Sequence, residues 1–299
     1  MPLTDTADLV ASAASTGTAV LAFNVITIEH AEGIAEGAER AGLAALLQVS
    51  ENTIRFHGGR LAPLVSACAQ IATHSTTPLA VHLDHLQDAA LTAEAIMTAA
   101  DLGVSSLMVD AAHLPYLENV DRTRSFTAEA HAAGLWMEAE LGEIGGKGGA
   151  TTNAHVSGAR TDPQEAAAFV AATGVDGLAV AIGSSHAMTT REAELDFDLI
   201  TALAADLPIP LVLHGSSGVS DAQLGRAVQA GIRKINIGTA LNAGYTSAIR
   251  ASLAANPAVT DPRGYLAAAR QAIGDLVVEL GTAIAASPVS VRAERTETP

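Results

Sequence analysis

Val81-His82-Leu83-Asp84-His85 completes an apolar run, Thr77-Pro78-Leu79-Ala80, that Pro78 bounds on its left. The run reads as a buried strand, and Gln87-Asp88-Ala89-Ala90 then opens a helical pattern. A buried strand has no packing reason to finish in an acid and two imidazoles. Polar groups at the carboxyl end of a strand in an α/β barrel are where chemistry sits. Asp84 is therefore read as a general acid/base and His85 as a metal ligand, while His82, alternating with Leu83, points into the barrel as a structural residue.

Outward from this stretch the same unit recurs. Apolar, strand-like segments fall at 20–25, 45–50, 79–84, 106–110, 135–141, 177–182, 211–214 and 233–237. Helical patterns separate them at 30–41, 61–73, 89–102, 123–133, 163–173, 197–205, 221–230 and 240–254. Strand alternating with helix eight times predicts an α/β protein of the (β/α)8 TIM barrel type. A doubly wound sheet is the alternative, but no GxGxxG follows the first strand. Thr161-Asp162-Pro163 reads as a helix start, and Gly42, Gly103, Gly134, Gly174 and Gly231 as helix ends. The chain is expected to be one domain over 1–299, with a C-terminal helical extension at 262–285 for packing across the barrel or against another subunit, and a polar tail at 288–299.

The chain has 299 residues, of which 49% are hydrophobic and 16% charged, so a large core is within reach. A net charge of −16 and 3% aromatic residues argue against nucleic-acid or anionic-membrane partners. That charge also repels anionic substrates, so any phosphate site must be built locally. Cys68 is the single cysteine; it sits in an apolar helical pattern and fits packing in a reducing, cytoplasmic setting. The N-terminus lacks a basic signal-peptide start, and no uninterrupted apolar run of about 18 residues predicts a membrane span.

In the barrel frame the polar strand ends converge on one rim. Asn24, Ser50, Asp84 with His85, Asp110, Glu140, His186, His214 and Asn236 follow or close strands one to eight in turn. Three histidines there, His85, His186 and His214, suggest zinc (Zn2+) with an open coordination position. His30, His57, His74, His131 and His155 lie in helices or loops and are assigned no role; His113, in the loop after Asp110, could orient a neighbour. His214-Gly215-Ser216-Ser217-Gly218 and Asn236-Ile237-Gly238-Thr239 follow the seventh and eighth strands, the usual phosphate cradle of this fold. Gly142-Glu143-Ile144-Gly145-Gly146-Lys147-Gly148-Gly149 reads either as an active-site lid or as a solvated loop. Lys147 and Lys234 are the only lysines. A metal mechanism fits better than a lysine imine, with Lys234 keeping the imine open. A metal beside a carboxylate and a phosphate cradle favours carbon–carbon cleavage of a phosphorylated ketone, Asp84 taking the hydroxyl proton.

The residues resemble the class II, zinc-dependent ketose-bisphosphate aldolases of the fructose- and tagatose-bisphosphate type. The resemblance rests on Ala22-Phe23-Asn24, Leu83-Asp84-His85, Glu138-Ala139-Glu140-Leu141-Gly142 with Gly145-Gly146, Ala181-Ile182-Gly183 leading to His186, Leu213-His214-Gly215 with Ser217-Gly218, Lys234-Ile235-Asn236 with Thr239, and Asp261-Pro262-Arg263. It implies Asp84 as the catalytic acid/base and His85, His186 and His214 as zinc ligands. Asp110 and Glu140 match positions that hold an alternative or second metal, which could be a divalent or a monovalent cation. Dihydroxyacetone phosphate would lie against Gly215, Ser216, Ser217, Asn236, Ile237, Gly238 and Thr239, and Asn24 and Ser50 match substrate-contacting positions. Homodimers or homotetramers are implied, with Arg263 at a neighbour. The chain departs at the lid, where the family's Gly-Gly-x-Glu-Asp is Gly145-Gly146-Lys147-Gly148-Gly149, and at His186-Ala187, where the family has His-Gly. The alternatives are an aldolase for another aldehyde partner, such as the 5-dehydro-2-deoxyphosphogluconate enzyme of inositol catabolism, and a non-catalytic phosphosugar-binding barrel.

Overall fold

Eight parallel strands pair in chain order and close on themselves, each with the next and the last with the first. They are β1 Val20–Asn24, β2 Ala45–Ser50, β3 Leu79–Leu86, β4 Ser106–Val109, β5 Trp136–Leu141, β6 Gly177–Val180, β7 Leu211–Leu213 and β8 Ile232–Ile237. The computed structural model describes residues 3–142, 160–184 and 192–285. The (β/α)8 barrel expected from the strand–helix alternation is the observed fold.

Period-two alternation sorts each strand's side chains into two environments. Leu21 and Phe23 of β1, Leu47 and Val49 of β2, and Val81 and Leu83 of β3 face outward and join the large core beneath the helices. Val20, Ala22, Leu46, Ala80, Trp136, Ala179 and Val212 fill the barrel interior near its N-terminal end. Further up, the interior turns polar: Gln48, His82, Asp84, Ser106, Glu138, Glu140, His214, Lys234 and Asn236 are all buried. In β1, β2, β3, β5 and β8 the inward register runs from apolar to polar, and the parallel barrel collects those polar ends, with His214 after β7, in one layer.

The helices around it are α1 Thr6–Thr16, α2 Ile28–Ala41, α3 Glu51–Phe56, α4 Ala62–His74, α5 Ala89–Leu102, α6 Tyr116–Ala132, α7 Pro163–Thr173, α8 Phe197–Asp206, α9 Asp221–Ala230, α10 Thr239–Ala255 and α11 Pro262–Ala285. Asp88 caps α5 by accepting from the N–H groups of Ala90 and Leu91, both at 2.9 Å. Asp162 does the same for α7 through Gln164 and Glu165. Such caps contribute about 1 kcal/mol each. Helix α6 begins at Tyr116, seven residues before the expected start at Thr123, because Glu118, Asp121 and Arg122 dilute the apolar period of its first turns. Two further helices lie outside the eightfold alternation. Helix α1 closes the N-terminal mouth, with Leu9 and Val10 in the interior cluster and Thr6 Oγ1 2.6 Å from Ser106 Oγ. Helix α3 is a short segment after β2. Helix α11 lies against α2 and α10 of its own barrel. Among the described residues no helix is long and apolar enough to cross a membrane.

Candidate active site

Strand β3 does not stop at Asp84. It runs to Leu86, and its pairing with β4 slips between Leu83↔Leu107 and Leu86↔Val109, one extra residue on the β3 side. Its pairing with β2 stays regular as far as Ser50↔Asp84. The bulge is absorbed at His85, whose φ is 52°, the one positive φ on a non-glycine residue among those described. Bulges bend a strand and re-aim side chains, and they recur beside active sites. Here the bulge turns His85 to the same side as Asp84, and Leu86 returns to the outer core.

The rim groups then meet. The His85 and His214 rings stand edge to face with centroids 4.7 Å apart. His85 Nε2 is 3.8 Å from Asp84 Oδ1, and His85 Nδ1 is 3.1 Å from Asp110 Oδ2. Gln87 Nε2 donates to the same Asp110 oxygen at 3.0 Å. His214 lies between two glutamates of β5, with Nε2 2.9 Å from Glu138 Oε1 and Nδ1 3.3 Å from Glu140 Oε2. Asn236 Nδ2 donates toward Asp84 Oδ1 at 3.5 Å.

Charge decides the protonation of this buried layer. Burial pushes the Asp84 carboxyl up, but His85, His214, His82 and Lys234 outweigh it and hold the group below the usual carboxylate range. Burial would likewise neutralise Glu138, and Lys234 and His214 keep it ionised. For His214, burial is opposed by the hydrogen bonds it donates to Glu138 and Glu140, which raise its pKa to about 9. His82 goes the other way: desolvation, aided by Lys234, lowers it to about 3. With Nδ1 2.8 Å from Ser106 Oγ, His82 is a neutral, internal residue.

Lys234 is no amine nucleophile in waiting. Its Nζ is fully buried, 2.8 Å from Glu138 Oε2, and donates to Asn236 Oδ1 at 2.7 Å and Gln48 Oε1 at 3.3 Å. An imine mechanism needs an unprotonated amine with room for a carbonyl, and this ammonium is committed on three sides.

The residues expected to hold phosphate, the Ile237 side chain apart, adjoin one another where β7 and β8 end. Gly215 takes φ 67° and leads into a 3-10 turn, Ser216–Gly218. Ser216 Oγ donates to the Asn236 carbonyl, and Ser217 Oγ accepts from Ala240 N at 3.1 Å, tying this turn to the start of α10. Gly238 precedes α10, and a Cβ placed on it would lie 3.5 Å from Asn24 Nδ2. Ile237 is buried in the outer core and Thr239 opens α10. Ser50 is the N-cap of α3, its Oγ accepting from Thr53 N at 3.3 Å. His113 is exposed on its loop. His186 and the 145–149 glycine segment lie outside the described residues, as does His155. Gln48 and Glu138 are the network members that motif reading passed over. Their signal was present as period two: Leu46-Leu47-Gln48 and Trp136-Met137-Glu138-Ala139-Glu140 place polar groups on the inward register of apolar strands.

The donor chemistry fits a divalent metal. One ligand atom from each of Asp84, His85 and His214 lies within 4.8 Å of the others, and the same holds for His85, Asp110 and Glu140. Two imidazoles and a carboxylate are a borderline-soft set of the kind zinc takes, and Glu138 on His214 Nε2 is the outer-shell partner such a ligand uses.

Comparison with known proteins agrees. The YdjI aldolase from Escherichia coli K12 superposes with a TM-score of 0.78 at 28% identity, covering 95% of this chain and 99% of that one. A protein from Coccidioides immitis assigned as a fructose-1,6-bisphosphate aldolase gives 0.83 at 26%, covering 94% and 96%. The fructose-bisphosphate aldolase of Campylobacter jejuni, at 19% identity and 0.76 over 93% of each chain, shares the fold. Barrel, rim cluster and neighbours together define an aldolase, a carbon–carbon lyase. A family model described as fructose-bisphosphate aldolase class-II matches residues 4–287, and the chain belongs to that family. Its members are generally metal-dependent.

Proposed function

We propose that the chain is a zinc-dependent aldolase that reversibly cleaves a phosphorylated ketose, fructose- or tagatose-1,6-bisphosphate, into dihydroxyacetone phosphate and glyceraldehyde 3-phosphate. The observation that carries this reading is the meeting of Asp84, His85 and His214 within 4.8 Å, near the turn after β7 and the start of α10. His85 and His214 would hold zinc together with His186. Asp110 and Glu140 would form a second or alternative cation site around His85. Zinc in this position supplies Lewis acidity toward the ketone and stabilises the negative charge that develops on the enediolate.

The chain's own residues do the rest. Asp84, held ionised at neutral pH, takes the proton from the hydroxyl on the carbon that leaves as aldehyde. The electrons of that O–H bond form the new carbonyl, the carbon–carbon bond breaks, and its pair passes to the enediolate. Asn236 Nδ2, next to Asp84, donates to substrate oxygen. Gly215, Ser216, Ser217, Gly238, Thr239 and the first N–H groups of α10 receive the phosphate, where the helix dipole offsets the protein's net negative charge. Asn24 and Ser50 flank the substrate. The setting is cytoplasmic and the assembly a homodimer or homotetramer.

The lid sequence favours a second reading of the aldehyde half. Gly145-Gly146-Lys147-Gly148-Gly149 carries no acid, so an aldolase for a different partner, such as 5-dehydro-2-deoxyphosphogluconate, is the rival. Cleavage of a panel of phosphorylated ketoses, with and without chelator, separates the two. Turnover of a bisphosphate that chelator abolishes and zinc restores is expected; turnover indifferent to chelator would end the zinc reading.

A further inference from the structure

Lys234 is fully buried in the polar layer, out of reach of solvent. An ammonium has three hydrogen-bond donors and no acceptor. Its three partners, Glu138, Asn236 and Gln48, are all planar groups with two ends. An oxygen of each must therefore face the lysine, and the far end is decided by that choice.

The consequences run to the rim along three paths. Asn236 turns Oδ1 to Lys234, so its Nδ2 points at Asp84. Gln48 turns Oε1 to Lys234, so its Nε2 donates to Asn24 Oδ1 at 2.8 Å. That leaves Asn24 Nδ2 beside Gly238. Glu138 gives Oε2 to Lys234 and Oε1 to His214 Nε2. A carboxylate there only accepts, so Nε2 keeps a proton with or without metal, and Nδ1, turned to Glu140 and the cluster, is the nitrogen that would give up its proton to a metal.

We propose that Lys234 is a positioning residue whose donor-only chemistry sets the hydrogen-bond direction of the whole site, turning the amide N–H groups of Asn236 and Asn24 and the Nδ1 atom of His214 toward the reacting position. The proposal rests on the metal-ligand reading of His214 given above.

The test uses an amide as a two-ended probe at position 138. In Glu138→Gln the lysine still demands an oxygen, so the NH2 end is forced onto His214 Nε2. That ring nitrogen must then accept, and the proton moves to Nδ1, where it blocks coordination. Zinc affinity of the full-length protein, measured by competition with a chromophoric chelator, is expected to fall by about 10–100-fold, the usual range for an outer-shell loss. Adding Lys234→Met frees the amide to turn over. The double variant is expected to regain at least about tenfold of that loss. Packing alone predicts the reverse, since a second core change only weakens the site further.

Removing a lysine also removes repulsion between its charge and zinc. Lys234→Met in the unaltered background measures that contribution, which is subtracted. If that single variant does not fold, because buried Glu138 has lost its lysine partner, proton position decides instead. Nitrogen-15 spectra of the metal-free protein, recorded where the ring is neutral in both variants, are expected to show the proton on Nδ1 in Glu138→Gln and on Nε2 in the double variant. The same tautomer in both, or no regain of zinc affinity after subtraction, overturns the proposal. A parent protein that binds zinc but cleaves no phosphorylated ketose would defeat the proposed reaction and leave the role of Lys234 standing.

Discussion

Asp84 and His85 are consecutive residues of one strand, yet both face the barrel interior, with His85 Nε2 3.8 Å from Asp84 Oδ1. A regular strand sends neighbours to opposite faces. The extra residue opposite β4 and the left-handed φ of 52° at His85 cancel one alternation. The site thus needs a backbone conformation that histidine seldom adopts, and the surrounding strand pairs hold it there.

Strain at that position is measurable. His85→Asn keeps a residue tolerant of the left-handed region and is expected to melt close to the parent. His85→Val places a β-branched side chain there and is expected to lose about 1–2 kcal/mol more in urea unfolding. Both variants are expected to bind zinc more weakly. Equal stability of the two would show that the φ of residue 85 relaxes at no cost.

The same stretch shows how much could be read from residues alone. Strand order, closure and the rim position of Asp84, Asp110, Glu140, His214 and Asn236 follow from hydrophobic runs and from the rule that parallel strands end on one side. The bulge left no such trace, because a period-two reading assigns His85 outward and nothing in Leu83-Asp84-His85-Leu86 marks the skipped register. Helix α1 was silent for another reason. Its contribution is a plug, Leu9 and Val10 into the barrel mouth and Thr6 onto Ser106; Thr6, Leu9, Val10 and Ala13 keep helical spacing, but only two of the four are large and apolar. Lys234 was visible as an inward residue of β8, but its role as an ion-paired hub depends on Glu138, Gln48 and Asn236, which approach only once the barrel closes.

Separating proton transfer from metal binding is the task of Asp84→Ala. Asp84 belongs both to the ligand-distance cluster and, in the proposed reaction, to proton transfer. Cleavage is expected to fall by about 10²–10⁴-fold, the range for loss of a general base, while zinc content by mass spectrometry matches the parent. Loss of zinc with activity would move Asp84 from base to ligand.

Cys68 gives a prediction about pH. Its thiol is buried in α4, and desolvation raises its pKa to about 12. A thiol in the unfolded chain titrates near about 8.5. The unfolded state therefore releases this proton first as pH rises. The stability linked to Cys68 is full below about 8.5 and is lost progressively toward about 12. Native protein at pH 8 is expected to leave a thiol-specific chromogenic disulfide untouched, and urea-unfolded protein to react with it at once. Rapid reaction of the native protein would contradict the packing role.

Glycine within a helix usually costs stability, so alanine in its place usually helps. Helix α2 is the exception here, because Gly33 and Gly37 let α11 approach backbone to backbone. A Cβ on Gly37 would fall 2.6 Å from the carbonyl oxygen of Gly274 and 2.7 Å from Val277 Cβ. A carbonyl in the opposing helix cannot turn aside as a side-chain tip can, so α11 must shift as a body. The helix-propensity gain of about 1 kcal/mol is then set against overpacking of typically about 1–3 kcal/mol. Gly37→Ala is expected to lower the urea midpoint with an unchanged slope. Gly244 of α10 is the matched control: it is also helical, and no atom lies within 4 Å of its added Cβ. Gly244→Ala is expected to raise the midpoint, by about 0.4–1 kcal/mol in stability. Opposite signs at two helical glycines would show that contact with α11, and not propensity, fixes Gly37; a gain at both would show that α11 sits on α2 more loosely than these distances require.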